Sequence, residues 1–315
     1  MRKKIIIDCD PGHDDMMAMI LALASPELEV LAITTSAGNQ TQAKTHSNAK
    51  KILELLKRTD IPVAKGAEKP LVRDLIIAPQ VHGESGLDGA DLPKGDFASD
   101  KRNAVELMRD IVRESRDPVS LVVTGPMTNA ALFIAVYPEL AKKLECISFM
   151  GGSVYHGNWS PAAEFNILVD PEAAKLVMAS GIPLIMSGLE VTHKAQLMPD
   201  DIAKMRSMNT TVSAITADLM DYFLKSASAP LFAPEGHIEG AHMHDPCAIA
   251  VLLDSSRFKT AELFGDIELY GQYCVGRTVI DTDGVLKKEP NVTVAFDLDN
   301  NWMRARILDA VASFK

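Results

Sequence analysis

The sequence predicts an α/β protein with a largely parallel central sheet flanked by helices and a mainly helical C-terminal elaboration. Three observations predict it. Short runs that are apolar at every position alternate with helix-like runs as far as Met186, and strands apolar on both faces belong to parallel sheets covered on both sides. The 315 residues are 47% hydrophobic, enough to bury a large core. No internal repeat, low-complexity tract or flexible linker interrupts them, so one domain spanning 1–315 is expected.

The elements follow in order. Ile5–Ile7 is a short buried strand, and Asp14 to Ala24 a helix rich in Met, Ala, Ile and Leu. Val30 to Thr35 is the second strand. Thr41 to Arg58 is a helix with Ala49, Ile52, Leu53 and Leu56 on one face. Ile61 to Ala64 is a third strand, and Val81 to Asp100 a loop. Arg102 to Glu114 is a helix, Val119 to Thr124 a strand, Asn129 to Tyr137 a helix and Cys146 to Met150 a strand. Pro171 to Ala179 is a helix and Pro183 to Met186 a strand. From Pro199 the pattern is mainly helical through Met220, and again from Pro246 to Leu253. Ile267 to Cys274 and Val292 to Phe296 read as late strands, and Asn301 to Ala312 as a closing helix.

Composition excludes several classes. A net charge of −10 lacks the basic footprint of a nucleic-acid binder. The apolar run after Met1-Arg-Lys-Lys stops at Asp8, too short for a signal peptide, and no run is long enough to span a membrane. Cys9, Cys146, Cys247 and Cys274 form no C-x-x-C pair; free buried thiols in a reducing cytoplasm are expected.

In open α/β sheets, sites form at the carboxyl ends of the strands. Asp8, Asp10, Asp14 and Asp15 fall within eight residues directly after the first strand. A helix N-cap accounts for one aspartate or two, but not four. A hard divalent cation with oxygen ligands accounts for all of them. The segment is no EF-hand, because it follows a strand and lacks the closing Glu. A magnesium phosphatase also opens on D-x-D, but Gly12 and the tandem Asp14-Asp15 depart from that pattern.

Further candidates lie after other strands. Asn39, in Gly38-Asn39-Gln40-Thr41, can reach the same rim, although Gly-Asn is also ordinary turn chemistry. His82 opens a glycine-rich loop that could cover a pocket. The Thr124 carbonyl points to the rim, and Thr128-Asn129 read as a helix cap. Asn158, Glu164 and Asn166 are residue types that grip vicinal hydroxyls, beside the apolar Trp159 and Phe165. Asn166 and Asp170 could equally cap the following helix. Asp245 is either the N-cap of a helix with Pro246 at its first position or a cation ligand, and His244 beside it an acid or hydrogen-bond donor.

Taken together, Asp8-x-Asp10-Pro-Gly-x-Asp14-Asp15, Gly38-Asn39-Gln40-Thr41, His82-Gly83-Glu84, Glu164-Phe165-Asn166 and His244-Asp245 stand in the order found in inosine–uridine-preferring nucleoside hydrolases. The chain resembles that family from Lys4 to the final helix. The resemblance implies a homo-oligomer, tetramer or dimer, that hydrolyses ribonucleosides to ribose and free base. It implies Ca²⁺ held by Asp10, Asp15, the Thr124 carbonyl and Asp245. Asp14, Asn39, Asn158, Glu164 and Asn166 would hold the ribose, with Phe165 in the same wall. Asp10 would act as general base on a water held at the ion, and His244 or His82 would donate a proton to the leaving base. One water attacking opposite the base would invert the anomeric carbon.

In one respect the chain departs from the family. Ser226 to Met243 contains no Tyr to face the nucleobase, and holds Phe232, His237 and His242 instead. With His82 and His244 together, the pattern resembles members that favour pyrimidine nucleosides. Two other classes remain at this stage: a phosphatase using Asp8 as nucleophile, and a non-catalytic ribose-binding protein.

Overall fold

The computed structural model describes residues 2–227 and 239–315. Phe232 and His237 lie outside the described residues. In chain order the elements are β1 (Lys3–Cys9), α1 (His13–Ala24), β2 (Leu28–Thr35), α2 (Gln42–Leu55), β3 (Val63–Lys65), α3 (Pro79–His82), α4 (Ala104–Glu114), β4 (Val119–Val123), α5 (Thr128–Val136), α6 (Pro138–Ala141) and β5 (Leu144–Met150). They continue with α7 (Phe165–Val169), α8 (Pro171–Met178), β6 (Leu184–Ser187), α9 (Leu189–Thr192), β7 (Gln196–Leu197), α10 (Pro199–Ser207), α11 (Thr211–Ala227), β8 (Ala241–His242) and α12 (Pro246–Leu253). The last are β9 (Phe258–Ile267), β10 (Thr278–Asp281), β11 (Val292–Leu298) and α13 (Asn300–Ser313).

The main sheet has nine strands in the order β10-β9-β11-β6-β5-β4-β1-β2-β3. From β3 to β11 every neighbouring pair is parallel. The expected parallel sheet is therefore present, and helices cover both faces. The two-residue alternation of a strand decides which face each side chain serves. Ile5, Ile7 and Cys9 of β1 pack into one layer with Met16 of α1, Ile249 of α12 and Ile307 of α13. Ile6 faces the opposite layer, with Met108 of α4, Phe133 of α5 and Val177 of α8. Every residue of α12 from Pro246 to Leu252 is buried, which explains a helix that is apolar all round.

The C-terminal part differs from the expectation. Beyond its helices it supplies β9, β10 and β11 to the sheet edge, β9 antiparallel to both neighbours. The strand expected at Ile267–Cys274 ends at Ile267, and Tyr270 and Tyr273 are exposed. The signal was weak because β9 lies at a half-solvated edge, where Lys259 and Glu262 interrupt the apolar run. His82 closes the short helix α3 rather than opening a loop. Among the described residues no helix is long and apolar enough to cross a membrane.

β1 continues to β2 on one side and pairs with β4 on the other. The strand order therefore reverses between β1 and β4, and a crevice opens there at the strands' carboxyl ends. Asp10 follows β1 and Thr124 follows β4, so the topology alone brings them to one place.

Candidate active site

Asp10 sits at the bottom of this crevice, fully buried. Its Oδ2 accepts the Asn39 backbone N–H at 2.6 Å, and its backbone carbonyl accepts the Asn39 amide at 3.2 Å. Among the described residues its buried Oδ1 has no hydrogen-bond partner. Gly38 and Gly125 press on this carboxylate from two sides. A Cβ at Gly38 would stand 2.9 Å from Asp10 Cγ, and one at Gly125 2.7 Å from it. Both glycines are needed for close approach.

Asp15 is equally buried. Its Oδ1 accepts the Thr124 hydroxyl at 2.7 Å; its Oδ2 accepts Gly12 N–H at 2.9 Å and the Asn39 amide at 3.1 Å. Carboxylate oxygens of Asp14, Asp15 and Asp245 all lie within 4.8 Å of one another. Asp245 is positioned at the N-terminus of α12 yet makes no side-chain cap. The capping reading of its sequence is therefore not realised, and its carboxylate is left for the cluster. Burial, then mutual repulsion, raises Asp10 and Asp245 well above the carboxylate range. The same causes lift Asp14 to about 7.

These residues suit a hard divalent cation. The donors are all oxygens; among the described residues no cationic side chain offsets their charge and Asp10 Oδ1 is an orphan. Asp8 stands apart from the cluster. Its Oδ1 accepts Thr34 Oγ1 at 2.7 Å and the Asn129 amide at 2.8 Å, and it is 1% exposed. A carboxylate so enclosed does not fit a phosphatase nucleophile. Asn129 thus anchors Asp8 instead of capping α5, and Thr128 donates to Asp170 at 2.7 Å.

The opposite wall comes from the segment after β5. Asn166 donates its amide to the Thr124 carbonyl at 2.8 Å and to the Met150 carbonyl at 3.2 Å. This ties the ends of β4 and β5 and leaves the second lone pair of the Thr124 carbonyl available. Glu164 caps α7 through Asn166 and Ile167 N–H, and also accepts Gly152 N–H at 3.0 Å. Burial pushes its carboxyl up to about 7. Asp170 caps α8 through Ala173 N–H. Phe165 is buried against Trp159. Asn158 is exposed and accepts Phe165 N–H at 3.0 Å.

Two histidine groups flank the crevice. His82 is 5% exposed and stacks on His13 and Phe223; His13 stacks in turn on Tyr222. His13 Nε2 lies 2.8 Å from the Asp88 carbonyl, which can only accept, so its proton sits on Nε2. Burial lowers His13 to about 4, so its Nδ1 is bare. His82 Nδ1 accepts the His13 backbone N–H at 3.3 Å and lies 3.1 Å from that bare His13 Nδ1, which leaves the His82 proton on Nε2. On the other side, His244 Nδ1 lies 2.8 Å from the Thr192 hydroxyl. That hydroxyl can donate to or accept from the ring, so the contact suits a His244 proton on Nε2 or on Nδ1. Burial, then His242 and His193, keeps His244 well below the histidine range.

The structure thus gathers Asp10, Asp14, Asp15, Asn39, Thr124, Asn166 and Asp245, with Glu164 and Phe165 behind them. Sequence reasoning missed His13, Tyr222 and Phe223. The helix α11 showed only a helical period, and nothing in it pointed to His13. Of the cysteines, Cys274 is exposed, contrary to expectation, while the other three are buried and all four are free.

Comparison with known proteins agrees with this geometry. The family model described as inosine-uridine preferring nucleoside hydrolase matches residues 5–305. The chain is 53% identical over 299 residues to the pyrimidine-specific ribonucleoside hydrolase RihA of Klebsiella pneumoniae (strain 342), covering 95% of each chain. It is 49% identical over 314 residues to the protein of that name from Enterobacter sp. (strain 638), covering 100% of this chain and 99% of the other. Among solved structures, the purine-preferring ribonucleoside hydrolase from Gardnerella vaginalis superposes with a TM-score of 0.92 at 30% identity, covering 99% of this chain and 98% of that one. A plant nucleoside hydrolase gives a TM-score of 0.91 at 30% identity, covering 99% and 100%.

Proposed function

The chain belongs to the inosine–uridine preferring nucleoside hydrolase family and is a nucleoside N-ribohydrolase, and from that premise we propose that it cleaves pyrimidine nucleosides, uridine and cytidine, using Asp10 as general base at a Ca²⁺ site. The single observation that carries the site is Asp10 Oδ1: a buried carboxylate oxygen with no partner among the described residues, beside three clustered aspartates. Asp10, Asp15, the Thr124 carbonyl and Asp245 would hold the ion. Bound there, Ca²⁺ supplies the positive charge that makes a water easier to deprotonate and anchors the sugar hydroxyls.

The chain's own residues do the rest. Asn39 N–H fixes Asp10 Oδ2, so Oδ1 is the atom aimed at the attacking water. As the water oxygen bonds C1′ and the glycosidic C–N bond breaks, the water's proton passes to Asp10 and the bond's electrons leave with the base. The nearby carboxylates stabilise the oxocarbenium-like charge on the sugar. Asp14, Asn39, Asn158, Glu164 and Asn166 orient the ribose, with Asp14 nearest the ion-sized cluster. His244, in the tautomer with its proton on Nε2, is the donor to the departing base. His82, with Nδ1 accepting the His13 backbone N–H, presents Nε2–H as a donor suited to a carbonyl oxygen of a pyrimidine base. The pyrimidine preference is supported by the 53% identical relatives, all named pyrimidine-specific, against a purine-preferring structural neighbour at 30%. We further propose that the chain acts as one domain over residues 1–315 in a cytoplasmic homo-oligomer, tetramer or dimer.

A reducing-sugar assay over uridine, cytidine, inosine and adenosine, with and without a calcium chelator, tests the reading. Ribose release from the pyrimidine nucleosides, lost on chelation and restored by Ca²⁺, is expected. No ribose from any nucleoside would refute the catalytic claim, and faster release from inosine than from uridine would refute the base preference.

A further inference from the structure

A second cluster of metal-ligating side chains lies outside the carboxylate site. His193 follows α9, while His242 and His244 sit two residues apart at β8, so near-extended backbone turns both to one side. One ring nitrogen from each of the three lies within 4.8 Å of the others. The ring centroids are 5.0 Å apart for His193 and His242, 5.4 Å for His242 and His244, and 5.6 Å for His193 and His244. Three imidazoles on one tetrahedral ion, with Zn–N bonds of about 2.1 Å, place their centroids about 5.2 Å apart. The rings therefore stand at coordination spacing.

Neighbouring polar side chains hold two of the rings in place. Gln196 pairs with His242 across β7 and β8 and brings its amide to 3.1 Å from His242 Nε2, while that same amide donates to the His193 carbonyl at 2.8 Å. Thr192 holds His244 at Nδ1, which leaves Nε2 for an ion. Behind a metal ligand such partners accept the ring N–H, so ligation at His242 Nδ1 requires Gln196 to turn its amide oxygen to His242 Nε2. Among the described residues neither ring nitrogen of His193 has a hydrogen-bond partner. All three rings are half-buried, so an ion can reach them.

We propose that His193, His242 and His244 form a binding site for a divalent transition metal of the zinc class, separate from the carboxylate site. Nitrogen donors select Zn²⁺, Cu²⁺ or Co²⁺ and disfavour Ca²⁺. Three histidines leave a fourth tetrahedral position for water or a substrate atom. Ligation at His244 Nε2 puts the ring proton on Nδ1, where the Thr192 hydroxyl accepts it. The site thereby withdraws the proton donor assigned above, so zinc inhibits hydrolysis; this inhibitory consequence rests on the proposed role of His244, but the binding does not.

The test uses the full chain saturated with Ca²⁺. Co²⁺ is added and its visible ligand-field absorption followed, then Zn²⁺ is titrated in and bound zinc per chain measured by elemental analysis after desalting. One Zn²⁺ per chain and a tetrahedral Co²⁺ spectrum are expected. His193→Ala and His242→Ala should each weaken binding at least tenfold and relieve zinc inhibition, while keeping ribose release without zinc. Asp15→Asn should leave zinc binding unchanged. No retained zinc, unchanged binding in both histidine variants, or loss of zinc in Asp15→Asn would overturn the site. Should either alanine variant fold poorly, His193→Asn, read by the cobalt spectrum and thermal melting, replaces it. Zinc bound without inhibition would refute only the link to His244, and ribose release without zinc tests the hydrolase reading independently.

Discussion

Replacing Gly38 or Gly125 by alanine should disable the enzyme while sparing the fold. Neither glycine has a positive φ, so alanine meets no backbone penalty. The damage comes from one methyl group meeting the Asp10 carboxylate. Ordinary contact begins near 3.4 Å, whereas the new Cβ would stand 2.9 Å from Asp10 Cγ at Gly38 and 2.7 Å at Gly125. Cγ must therefore retreat by about 0.5 and 0.7 Å respectively (3.4 − 2.9 and 3.4 − 2.7), and the oxygens swing further. Misplacing a catalytic group by about 1 Å costs about 10²-fold in rate. A fall in kcat of about 10- to 100-fold is expected, or about 1.4–2.7 kcal/mol of transition-state stabilisation. Steady-state ribose release from uridine measures it, with circular dichroism and thermal melting as checks on folding. The fall should be in kcat more than in KM, because the ribose-holding residues stay in place. A kcat within twofold of the parent in both variants would refute the positioning of Asp10.

Other outcomes follow from the same site. Without cation, Asp14 holds its proton up to about 7 against 3.8 in model compounds. The folded chain then keeps protons that the unfolded chain has shed, so its stability should fall as pH rises from about 4 to 7. Thermal melts in chelator across that window check this; a melting temperature that rises with pH there would contradict it. Asp245→Asn should remove one of the repelling charges. It should melt higher than the parent in chelator at pH 8, yet lose Ca²⁺ affinity and activity; a lower melting temperature would count against the repulsion. His13→Phe keeps the stack but removes the ring nitrogens that lie 3.1 Å from His82 Nδ1 and 2.8 Å from the Asp88 carbonyl, so His82 is held less firmly and KM for uridine should rise about tenfold with kcat less affected. Unchanged KM would show that His82 does not read the base. Arg304→Ala leaves the Asp201 carboxylate, 1% exposed, without its 2.6 Å partner. It should cost about 2–3 kcal/mol in urea unfolding with kcat unchanged, and a loss below about 0.5 kcal/mol would argue against it.

The parallel core was legible because its strands, such as Ile5–Ile7 and Val119–Val123, are apolar on both faces, and few other structures demand that. β9 was not, because a half-solvated antiparallel strand mixes Lys and Glu into its pattern. In the site, Asp10, Asp14 and Asp15 were legible through charge crowding, whereas Asp8, at the end of β1, turns out to be held apart by Thr34 and Asn129. Asp245 was ambiguous. Its place before Pro246 suits an N-cap, and only the backbone at the start of α12 shows the side chain turned elsewhere. Glu164 and Asp170 went the other way, with both acting as caps in the folded chain. The stack of His13, His82, Tyr222 and Phe223 was invisible, since the contact between α1, α3 and α11 arises from tertiary packing that no local spacing encodes.

Asp10 and Asp245 face one cluster from positions 235 residues apart (245 − 10). During synthesis, the first ligands leave the ribosome long before the last. Until α12 docks against α1 and β5, the nascent chain carries an acidic pocket that nothing closes. On the proposed reading, ion capture therefore waits until Asp245 and α12 have been made. A chain stopped before Asp245 would keep the strands from β1 to β6 yet lack the last of the proposed ion ligands.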